Sequence, residues 1–466
     1  MTTGPNAYAC GWKSCATCKN EVLASFIHTI NAAERIKGVN MGAFNIDRYK
    51  HGICLAAIFL IAWTGTSWAA GVWLYEQGTP DLGTASAGRM ALAENAATAV
   101  HNPAGMTRLD ESQVMLGVQP LWLRIEFDPD SETTTTGSDG EDDPMIGAGG
   151  LYYIHSLKDD LKLGLSMGSY FGLGMDYGDD WVGRYYVTEV EFLTYSLIPT
   201  VGYRVNDWLS VGGGVNMIYA TLNQKAAINN VLDALPDGEL ELDDDDFGCG
   251  VILSVLLEPW EHTRFGLAYN SEVDLEFDDA LSLKGLGPGL SAALGGVRGS
   301  KVDLDMTLPQ ALMFSVYHDI NDQWAIMGNL GWQEWSEFGK SDVTISSNTT
   351  TSFTSDRNYD DTWHVALGVR YRFAPEWMWS AGFAYDSSPV DDEDRTADLP
   401  LDRQIRYATG FQYQWDEAFT LSAAYEYVDF GKAEIDQSRG PLAGRLKGEY
   451  DTNEAHFFLL NVNWAF

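Results

Sequence analysis

Apolar and polar residues alternate along most of the chain after about residue 111. At the C-terminal end, one set of alternate positions is mostly apolar and rich in aromatic residues: His456, Phe458, Leu460, Val462, Trp464 and Phe466. The intervening positions turn polar: Phe457, Leu459, Asn461, Asn463 and Ala465. A β-strand points successive side chains to opposite faces, so this alternation predicts a strand with one apolar face.

Similar segments recur, and the connections between them alternate in length. Short connections lie at 158–160, 206–207, 258–263, 321–322, 374–376 and 415–417. Long polar ones lie near 128–146, 175–188, 225–243, 276–302, 336–356, 389–402 and 431–451. Short periplasmic turns and long extracellular loops are typical of outer-membrane barrels. We therefore predict an all-β fold in which residues 112–466 form a transmembrane antiparallel β-barrel of about fourteen strands. The barrel must be closed, because the backbone groups of an open sheet edge would have no hydrogen-bond partner in lipid.

Composition is compatible with this fold and excludes some functions. The chain has 29 Lys and Arg against 66 Asp and Glu, with a formal net charge of −37. This balance argues against a nucleic-acid partner, because phosphates require a basic surface. The 47 glycines and 12% aromatic residues suit a barrel. Composition alone leaves a soluble acidic β-protein equally open, but aromatic residues at the ends of the apolar faces favour the membrane.

The region before the barrel contains a predicted secretory signal peptide. The basic residues Arg48 and Lys50 precede the apolar run 52–63, and the small residues of Ser67-Trp68-Ala69 follow it. This run is too short to span a bilayer, which needs roughly 20 apolar residues. The order of basic, apolar and small residues is that of an export signal, with cleavage expected after Ala69 or, alternatively, one residue later.

The signal peptide is assigned to residues 41–69, because Met41 provides a start close to its basic residues. Residues 1–40 are interpreted as a misassigned start, and a genuine extension is the alternative. The spacing Cys15-x-x-Cys18 has no second CxxC or HxxxH to complete a site, so it predicts neither a metal site nor a redox site.

Residues 70–111 precede the first predicted strand and do not alternate. They are rich in Ala and Gly and are interrupted by Pro80 and Pro103. A barrel of about fourteen strands is too wide to be filled by its own side chains. We therefore predict that residues 70–111 fold inside the barrel as a hatch that blocks free leakage.

The same stretch resembles the FadL/TodX family of outer-membrane transporters for long-chain fatty acids and aromatic hydrocarbons. The resemblance runs from Ala70 to Ala104 and ends on the family's most recognisable triplet, Asn102-Pro103-Ala104. The other matching residues are Gly71, Leu74, Glu76, Leu82, Gly83, Ala85, Gly88, Ala91, Ala93 and Ala96. The rest of the chain resembles the family only in length and strand count.

The resemblance implies a transport route. Ligand would be captured in an apolar groove between extracellular loops and pass to an interior site lined partly by the start of the hatch. By position, Gly71, Val72 and Leu74 would contact the ligand, and Asn102-Pro103-Ala104 would anchor the hatch. Val72-Trp73 departs from the family's usual Phe and polar residue, which leaves ligand size and shape open. The triplet is also expected to be an ordinary turn, since Pro fixes φ and Asn bonds nearby backbone.

In the family, ligand leaves sideways where a kink in the third strand opens the barrel wall. The third predicted strand here runs from about Leu161 to Gly174 and is rich in glycine. Glycine weakens strand pairing and permits a bulge. We expect a lateral opening at Gly168, Gly172 and Gly174, and the alternative is that these small residues simply fit the barrel wall.

These features predict passive transport of hydrophobic small molecules, either fatty acids or aromatic or aliphatic hydrocarbons, across the outer membrane of a Gram-negative cell. The alternatives are a general porin for polar solutes and an adhesin or structural barrel. Expected partners are the hydrophobic ligand, outer-membrane lipid and lipopolysaccharide, and the barrel assembly machinery, for which the terminal Phe466 resembles a signal. The chain is expected to be a monomer.

No catalytic residue, cofactor or metal ligand is expected. The pentad Gly164–Gly168 has the nucleophile-elbow pattern, but it lies within an alternating strand rather than before a helix. The histidines at 101, 155, 262, 318, 364 and 456 lack metal-binding spacing. Acidic runs at 243–246 and 391–394 are interpreted as solvated loop residues, and the alternative is that they bind divalent cations between lipopolysaccharide head groups.

Overall fold

The structure is a computed structural model that describes residues 74–230, 235–278, 281–293, 301–346 and 350–466. In this part of the chain, no helix is long and apolar enough to cross a membrane. The predicted signal peptide at 41–69, the residues 1–40 before it, and Gly71 and Val72 lie outside the described residues.

Strands account for most of the described chain. In chain order they are β1 (Gln113–Pro129), β2 (Glu141–Asp142), β3 (Met145–Lys158), β4 (Leu161–Gly168), β5 (Gly172–Asp176), β6 (Glu189–Asn206), β7 (Leu209–Ile228), β8 (Gly238–Trp260), β9 (Thr263–Asn270), β10 (Val273–Phe277), β11 (Leu281–Lys284), β12 (Lys301–Leu308), β13 (Ala311–Asp319), β14 (Trp324–Gln333), β15 (Lys340–Ser346), β16 (Thr350–Asp356), β17 (Thr362–Ala374), β18 (Trp377–Asp386), β19 (Gln404–Gln414), β20 (Phe419–Asp429), β21 (Ile435–Ser438) and β22 (Arg445–Ala465).

Fourteen antiparallel spans form a closed barrel, in which β4 and β5 together make the third span. Consecutive spans pair with each other, and β1 pairs with β3 on one edge and with β22 on the other. The first and last strands are thus joined from Gln113↔Ala465 to Pro129↔Gly448. This closure satisfies the backbone groups that lipid could not. The predicted fold class and strand count are confirmed.

Side chains alternate between the two faces of the barrel wall. On the outer face Leu367 is 65% exposed and Leu460 is 69% exposed, whereas the neighbouring Ala366 and Leu459 are buried. Aromatic rings contact one another along the end of the barrel that carries the short turns, in the pairs Trp324–Tyr371, Trp377–Tyr413, Phe419–Trp464 and Trp464–Phe466. Such a ring of aromatic side chains is typical of a membrane border.

The long connections contain more regular structure than the sequence pattern predicts. Strands β10, β12, β15 and β16 form a separate four-stranded sheet. The predicted loop at 225–243 is wrong in its bounds, because β7 and β8 continue as a paired ribbon that includes the acidic run 243–246. Charged side chains do not disrupt a strand ladder that projects into water. A loop boundary predicted from polar residues alone was therefore misplaced. Short helices also occur in the connections, at Pro288–Ala293, Trp335–Phe338 and Gly440–Ala443.

The N-terminal segment, residues 74–111, folds into four short helical turns: Pro80–Thr84, Arg89–Leu92, Thr98–His101 and Pro103–Arg108. Nearly all of it is buried. Strands from distant parts of the barrel contact it, since β6, β7 and β8 pack on its last turn and β17 to β20 on its first.

Polar side chains of the barrel wall satisfy the backbone of this segment. Amide donors at Gly78, Gly88 and Met90 bond to the side chains of Gln119, Asn329 and Ser315, at 2.8, 2.8 and 3.1 Å. Buried backbone groups need such partners, and a segment of short turns cannot supply them itself. The polar inward positions on the strands are therefore matched to the N-terminal segment.

The third span is interrupted between β4 and β5. Gly168 pairs with Ser196 of β6, and Gly172 pairs with Leu193, so the third span carries one residue more than β6 across this stretch. The result is a β-bulge. β4 also pairs with β3, but its last partner there is Gly150. Among the described residues, β5 pairs with β6 alone, so the hydrogen-bonded wall is open between β5 and the part of β3 that precedes Gly150.

Candidate functional site

An interior cavity lies beside the N-terminal segment. Much of its lining is apolar and comes from strands on several sides: Ile198, Ile218, Ile252, Val273, Leu308, Met313 and Trp332. The N-terminal segment contributes polar residues, namely Tyr75, Gln77, Arg89 and His101. This arrangement suits a mostly apolar ligand that makes a few polar contacts.

Among the described residues that line the cavity, Arg89 is the only formally charged one. Its Nε donates to Asp81 Oδ2 at 2.5 Å, and its Nη2 donates to the Tyr75 carbonyl at 2.5 Å and to Ser86 Oγ at 2.8 Å. Burial acts to raise the pKa of the Asp81 carboxyl, but the charge of Arg89 and hydrogen bonds from Thr79 and Arg89 hold that pKa at about 2. Asp81 is therefore ionised and holds the guanidinium in place.

His101 contributes no positive charge to this region at neutral pH. Burial, together with the nearby guanidinium of Arg89, lowers the pKa of its imidazole to about 3, although Asp81 acts in the opposite direction. Its Nε2 lies 3.2 Å from Gln77 Oε1, which also lines the cavity. In the described part of the chain, Arg89 is thus the one cation that lines the cavity.

The cavity reaches the interruption in the third span. Tyr170 and Phe171, two of the three residues between β4 and β5, line it. The Leu74 amide donates to the Tyr170 carbonyl at 3.0 Å, and Leu74 packs against Leu193 of β6. The beginning of the described N-terminal segment is therefore attached directly to the bulge in the barrel wall.

Asn102-Pro103-Ala104 fixes the last turn of the N-terminal segment. Asn102 Oδ1 accepts from the Ala104 amide at 3.1 Å, and its Nδ2 donates to the carbonyls of Met90 and Val255 at 2.6 and 3.1 Å. The Ala104 amide also donates to Ser254 Oγ at 3.0 Å. Asn102 therefore joins two turns of the segment to β8.

Glycines of the barrel wall make room for this triplet. A Cβ atom on Gly212 would lie 2.3 Å from the Ala104 nitrogen, and one on Gly202 would lie 2.2 Å from the Pro103 carbonyl oxygen. Both contacts are with backbone, which cannot move aside as a flexible side chain does. The close fit of wall and triplet thus requires glycine at these two positions.

Charged side chains of the strands also hold the N-terminal segment. Glu94 accepts from Arg264 of β9 at 3.2 Å and from Arg370 of β17 at 2.5 Å. Arg406 of β19 contacts Glu76 of the segment together with Asp386 and Glu426 of the neighbouring strands. Buried charges are tolerated when they are paired in this way.

A smaller apolar cavity lies where β1, β5 and β22 meet the connection between β18 and β19. Its lining residues are Leu123, Ile125, Leu173, Met175, Pro400, Leu401, Phe430 and Asn453. Leu173 and Met175 belong to β5, directly after the bulge that lines the larger cavity. Among the described residues, no group of three or more His, Cys, Asp or Glu could hold a metal ion.

A family model described as "Outer membrane protein transport protein (OMPP1/FadL/TodX)" matches residues 60–466. The chain belongs to this family. The resemblance drawn from residues 70–104 is therefore confirmed, and so are the location in the outer membrane and the assignment as a transport protein. Members of the FadL/TodX family are transporters and channels.

Curated relatives cover nearly the whole chain. The long-chain fatty acid transport protein of Escherichia coli O6:H1 is 26% identical over 429 residues, covering 86% of this chain and 95% of the relative. Outer membrane protein P1 of Haemophilus influenzae (strain Rd) is 26% identical over 461 residues, covering 88% and 98%.

Solved structures of the FadL/TodX type share the fold. A Pseudomonas aeruginosa FadL homologue superposes with a TM-score of 0.78 at 20% identity, covering 85% of this chain and 100% of that chain. The P. putida toluene transporter TodX gives a TM-score of 0.60 at 15% identity, covering 80% and 94%. At these identities the likeness shows the fold alone.

The residues singled out from the sequence fall in three places. Leu74 is beside the bulge, Asn102-Pro103-Ala104 is at the β6–β8 wall, and Gly168 and Gly172 flank the bulge, with Gly174 inside β5. Their roles in transport stay predictions. Sequence reasoning missed Arg89, Tyr170 and the inward arginines 264, 370 and 406. A charged residue at an inward position of a strand in a plugged barrel needs a buried partner, and that signal could have identified the three wall arginines.

Proposed function

We propose that the protein lets hydrophobic small molecules, either fatty acids or hydrocarbons, pass passively through the outer membrane. One observation carries the proposal: residues 170–171 both line the large apolar cavity and form the bulge at which the barrel wall loses its β3 pairing. A ligand in that cavity lies next to a break in the wall rather than next to a continuous sheet. Relatives named as long-chain fatty acid transport proteins and a fold neighbour named as a toluene transporter support the same ligand class.

In this proposal the N-terminal segment is a hatch. Its buried contacts with strands on many sides support that role, because a segment held in this way leaves no wide aqueous path for polar solutes. The bond from the Leu74 amide to the Tyr170 carbonyl supports a link between the start of the hatch and the bulge. Gly71, Val72 and Leu74 would contact the ligand, and movement of this end would open the lateral exit at Gly168, Gly172 and Gly174.

The smaller apolar cavity supports a capture site nearer the extracellular loops. It lies on the far side of the bulge from the larger cavity, under the connection between β18 and β19. Ligand would pass from this groove to the interior cavity and then leave sideways into lipid. The proposal further assigns a monomeric state, lipid and lipopolysaccharide around the outer face, assembly through the C-terminal Phe466, and no catalytic activity.

Uptake of radiolabelled oleate and toluene tests the proposal in cells that lack their own transporter of this type. Cells producing the full chain should accumulate at least one compound faster than cells with an empty vector. A version lacking residues 70–74 should lose that gain while reaching the outer membrane in equal amount. If neither compound enters and small sugars pass freely, the protein is a general porin. If no solute enters and cells gain adhesion, it is a structural barrel.

A further inference from the structure

An open seam in the barrel wall separates residues 145–149 of β3 from β5. Space is open along it, since a Cβ atom added to Gly147 would have no atom within 4 Å. Toward the short turns, the two sides are joined where Gly150 of β3 pairs with Gly168 of β4. Any further link across the seam therefore lies toward the extracellular loops.

Asp142 of β2 makes a hydrogen bond across the outer part of this seam. Its Oδ2 accepts from the backbone amide of Asp176, the last residue of β5, at 2.9 Å. Farther out, the Ser138 amide donates to the Asp180 carbonyl at 3.0 Å, so the two sides meet again there. Widening of the outer part of the seam requires release of the bond between Asp142 and Asp176.

The surroundings of the Asp142 carboxylate disfavour its charge. Burial raises the pKa of this carboxyl to about 6, and the nearby carboxylates of Asp176 and Asp143 act in the same direction, although the bond from the Asp176 amide acts against them. At neutral pH the closed seam therefore holds a carboxylate that would be more stable in water.

The strands on either side bring apolar and neutral groups to Asp142. On β1, Ile125 is paired with Asp142, and the ion-paired Arg124 and Glu126 alternate to the other face of the strand. After β5, the buried phenol of Tyr177 is a further titratable neighbour. These neighbours favour the protonated form of Asp142 in the closed seam.

The sign of the pH effect follows from the two states of the seam. In an open seam the carboxyl would be solvated, and its pKa would return to the ordinary value of 3.8. Because the closed state binds the proton more tightly than the open state, protonation favours closing and ionisation favours opening. A pKa of about 6 instead of 3.8 changes the opening equilibrium by about 10- to 100-fold, where the lower figure allows for solvent screening of a partly exposed group.

We propose that Asp142 is a positioning residue of the lateral exit, which holds the seam closed when it is protonated and lets the seam open when it is ionised. The protonated carboxyl still presents an oxygen that can accept from the Asp176 amide. This inference rests on the proposed transport function and adds to it a dependence of the exit step on external pH. β2 belongs to the long connection between β1 and β3, so protons outside the cell set the charge of Asp142.

Asp142→Asn separates the charge from the hydrogen bond. The Asn side-chain oxygen can still accept from the Asp176 amide, but the side chain cannot ionise. Asp176→Asn removes a repelling carboxylate and keeps the backbone amide, so the midpoint of the pH effect should move to lower pH. Glu141→Gln is the matched control, because Glu141 is the exposed neighbour of Asp142 on β2.

Hydrogen–deuterium exchange of the Asp176 amide measures opening of the seam in the full-length protein in nanodiscs, after correction for the intrinsic exchange rate at each pH. In the parent protein and in Glu141→Gln, protection of this amide should fall about 10- to 100-fold from about pH 4 to about pH 7. In Asp142→Asn it should stay constant over that range. Toluene has no titratable group, and its uptake by cells should rise over the same range with the parent protein but not with Asp142→Asn.

The two measurements separate this inference from the transport proposal. Equal protection of the Asp176 amide at both pH values in the parent protein, or the same pH dependence in Asp142→Asn, would overturn the inference. Toluene uptake by the parent protein would then leave the transport proposal standing. If exchange responds as expected but no toluene enters at any pH, the transport proposal fails, and the seam is not an exit.

Discussion

Replacing Gly212 with alanine should loosen the last turn of the N-terminal segment without disturbing the barrel wall. The added Cβ would lie 2.3 Å from the Ala104 nitrogen, 2.6 Å from the Pro103 carbonyl carbon and 2.9 Å from the Ala104 Cα. Ordinary contacts of a Cβ lie at 3.4–4 Å. All three neighbours are backbone atoms, so the turn must withdraw from β7 by about 1 Å.

Withdrawal of the turn from β7 would strain or break its hydrogen bonds and so lower the free energy of its local opening. The Ala104 amide bonds to Asn102 Oδ1 and to Ser254 Oγ, and a typical hydrogen bond contributes about 1 kcal/mol. Overpacking in a buried site is unfavourable by about 1–3 kcal/mol. Local opening of Pro103–Arg108 should therefore become easier by about 1–3 kcal/mol, which is roughly a 5- to 150-fold increase in its opening equilibrium.

Hydrogen–deuterium exchange of the reconstituted protein measures this opening directly. The amides of residues 104–108 should exchange faster in Gly212→Ala by that factor, while amides of β1 and β22 remain protected. Gly147→Ala is the matched control, because a Cβ there would have no atom within 4 Å. Equal exchange of the turn in Gly212→Ala, Gly147→Ala and the parent protein would refute the close-packing argument.

Two further predictions concern the bulge and the extracellular loops. Gly174→Val places a branched side chain at a buried position of β5 and should cut oleate or toluene uptake about 5- to 150-fold; unchanged uptake relative to Gly147→Val would contradict the lateral exit. Burial acts to raise the pKa of Asp398, but the charge of Arg357, with hydrogen bonds from it and Thr396, lowers that pKa to about 2. Because this folded-state pKa lies below the unfolded value of 3.8, the pair stabilises the loop above about pH 4, by about 2 kcal/mol, and loses this effect as the pH falls to about 2. Pepsin should cut residues 389–402 of the parent protein faster as the pH falls from about 4 to about 2, after the rate is corrected with an unstructured substrate. Asp398→Asn should be cut readily at every pH in that range. Identical pH profiles of the two proteins would count against a stabilising Arg357–Asp398 pair.

The barrel is the part of the fold that the sequence by itself determined. In lipid the outward residues must be apolar, and a strand places every second residue outward, so the pattern at 456–466 specifies both the strand and its faces. Short and long connections alternate because successive spans turn on opposite sides of the membrane. Fourteen spans followed from counting these connections, and the family followed from the string between Ala70 and Ala104.

Only the tertiary structure decided where the polar inward residues go. Asn329, Ser315 and Gln119 could have faced water in an open pore, and they instead bond to the backbone of the N-terminal segment. No local pattern encodes these bonds, since their partners lie more than 40 positions apart along the chain. The extent of β7 and β8 beyond the membrane was also misplaced, because a ladder in water imposes no apolar period.

The candidate site, too, could be predicted from the sequence only in part. Glycines at 168 and 172 indicated weak strand pairing in the third span, because glycine lowers strand propensity wherever it occurs. The bulge at Tyr170 and the charged residue Arg89 line the same cavity. They meet only because a chain segment about 80 positions earlier folds against the bulge. Composition and period describe each element separately, and the chemistry of the cavity arises only where side chains from seven or more elements meet.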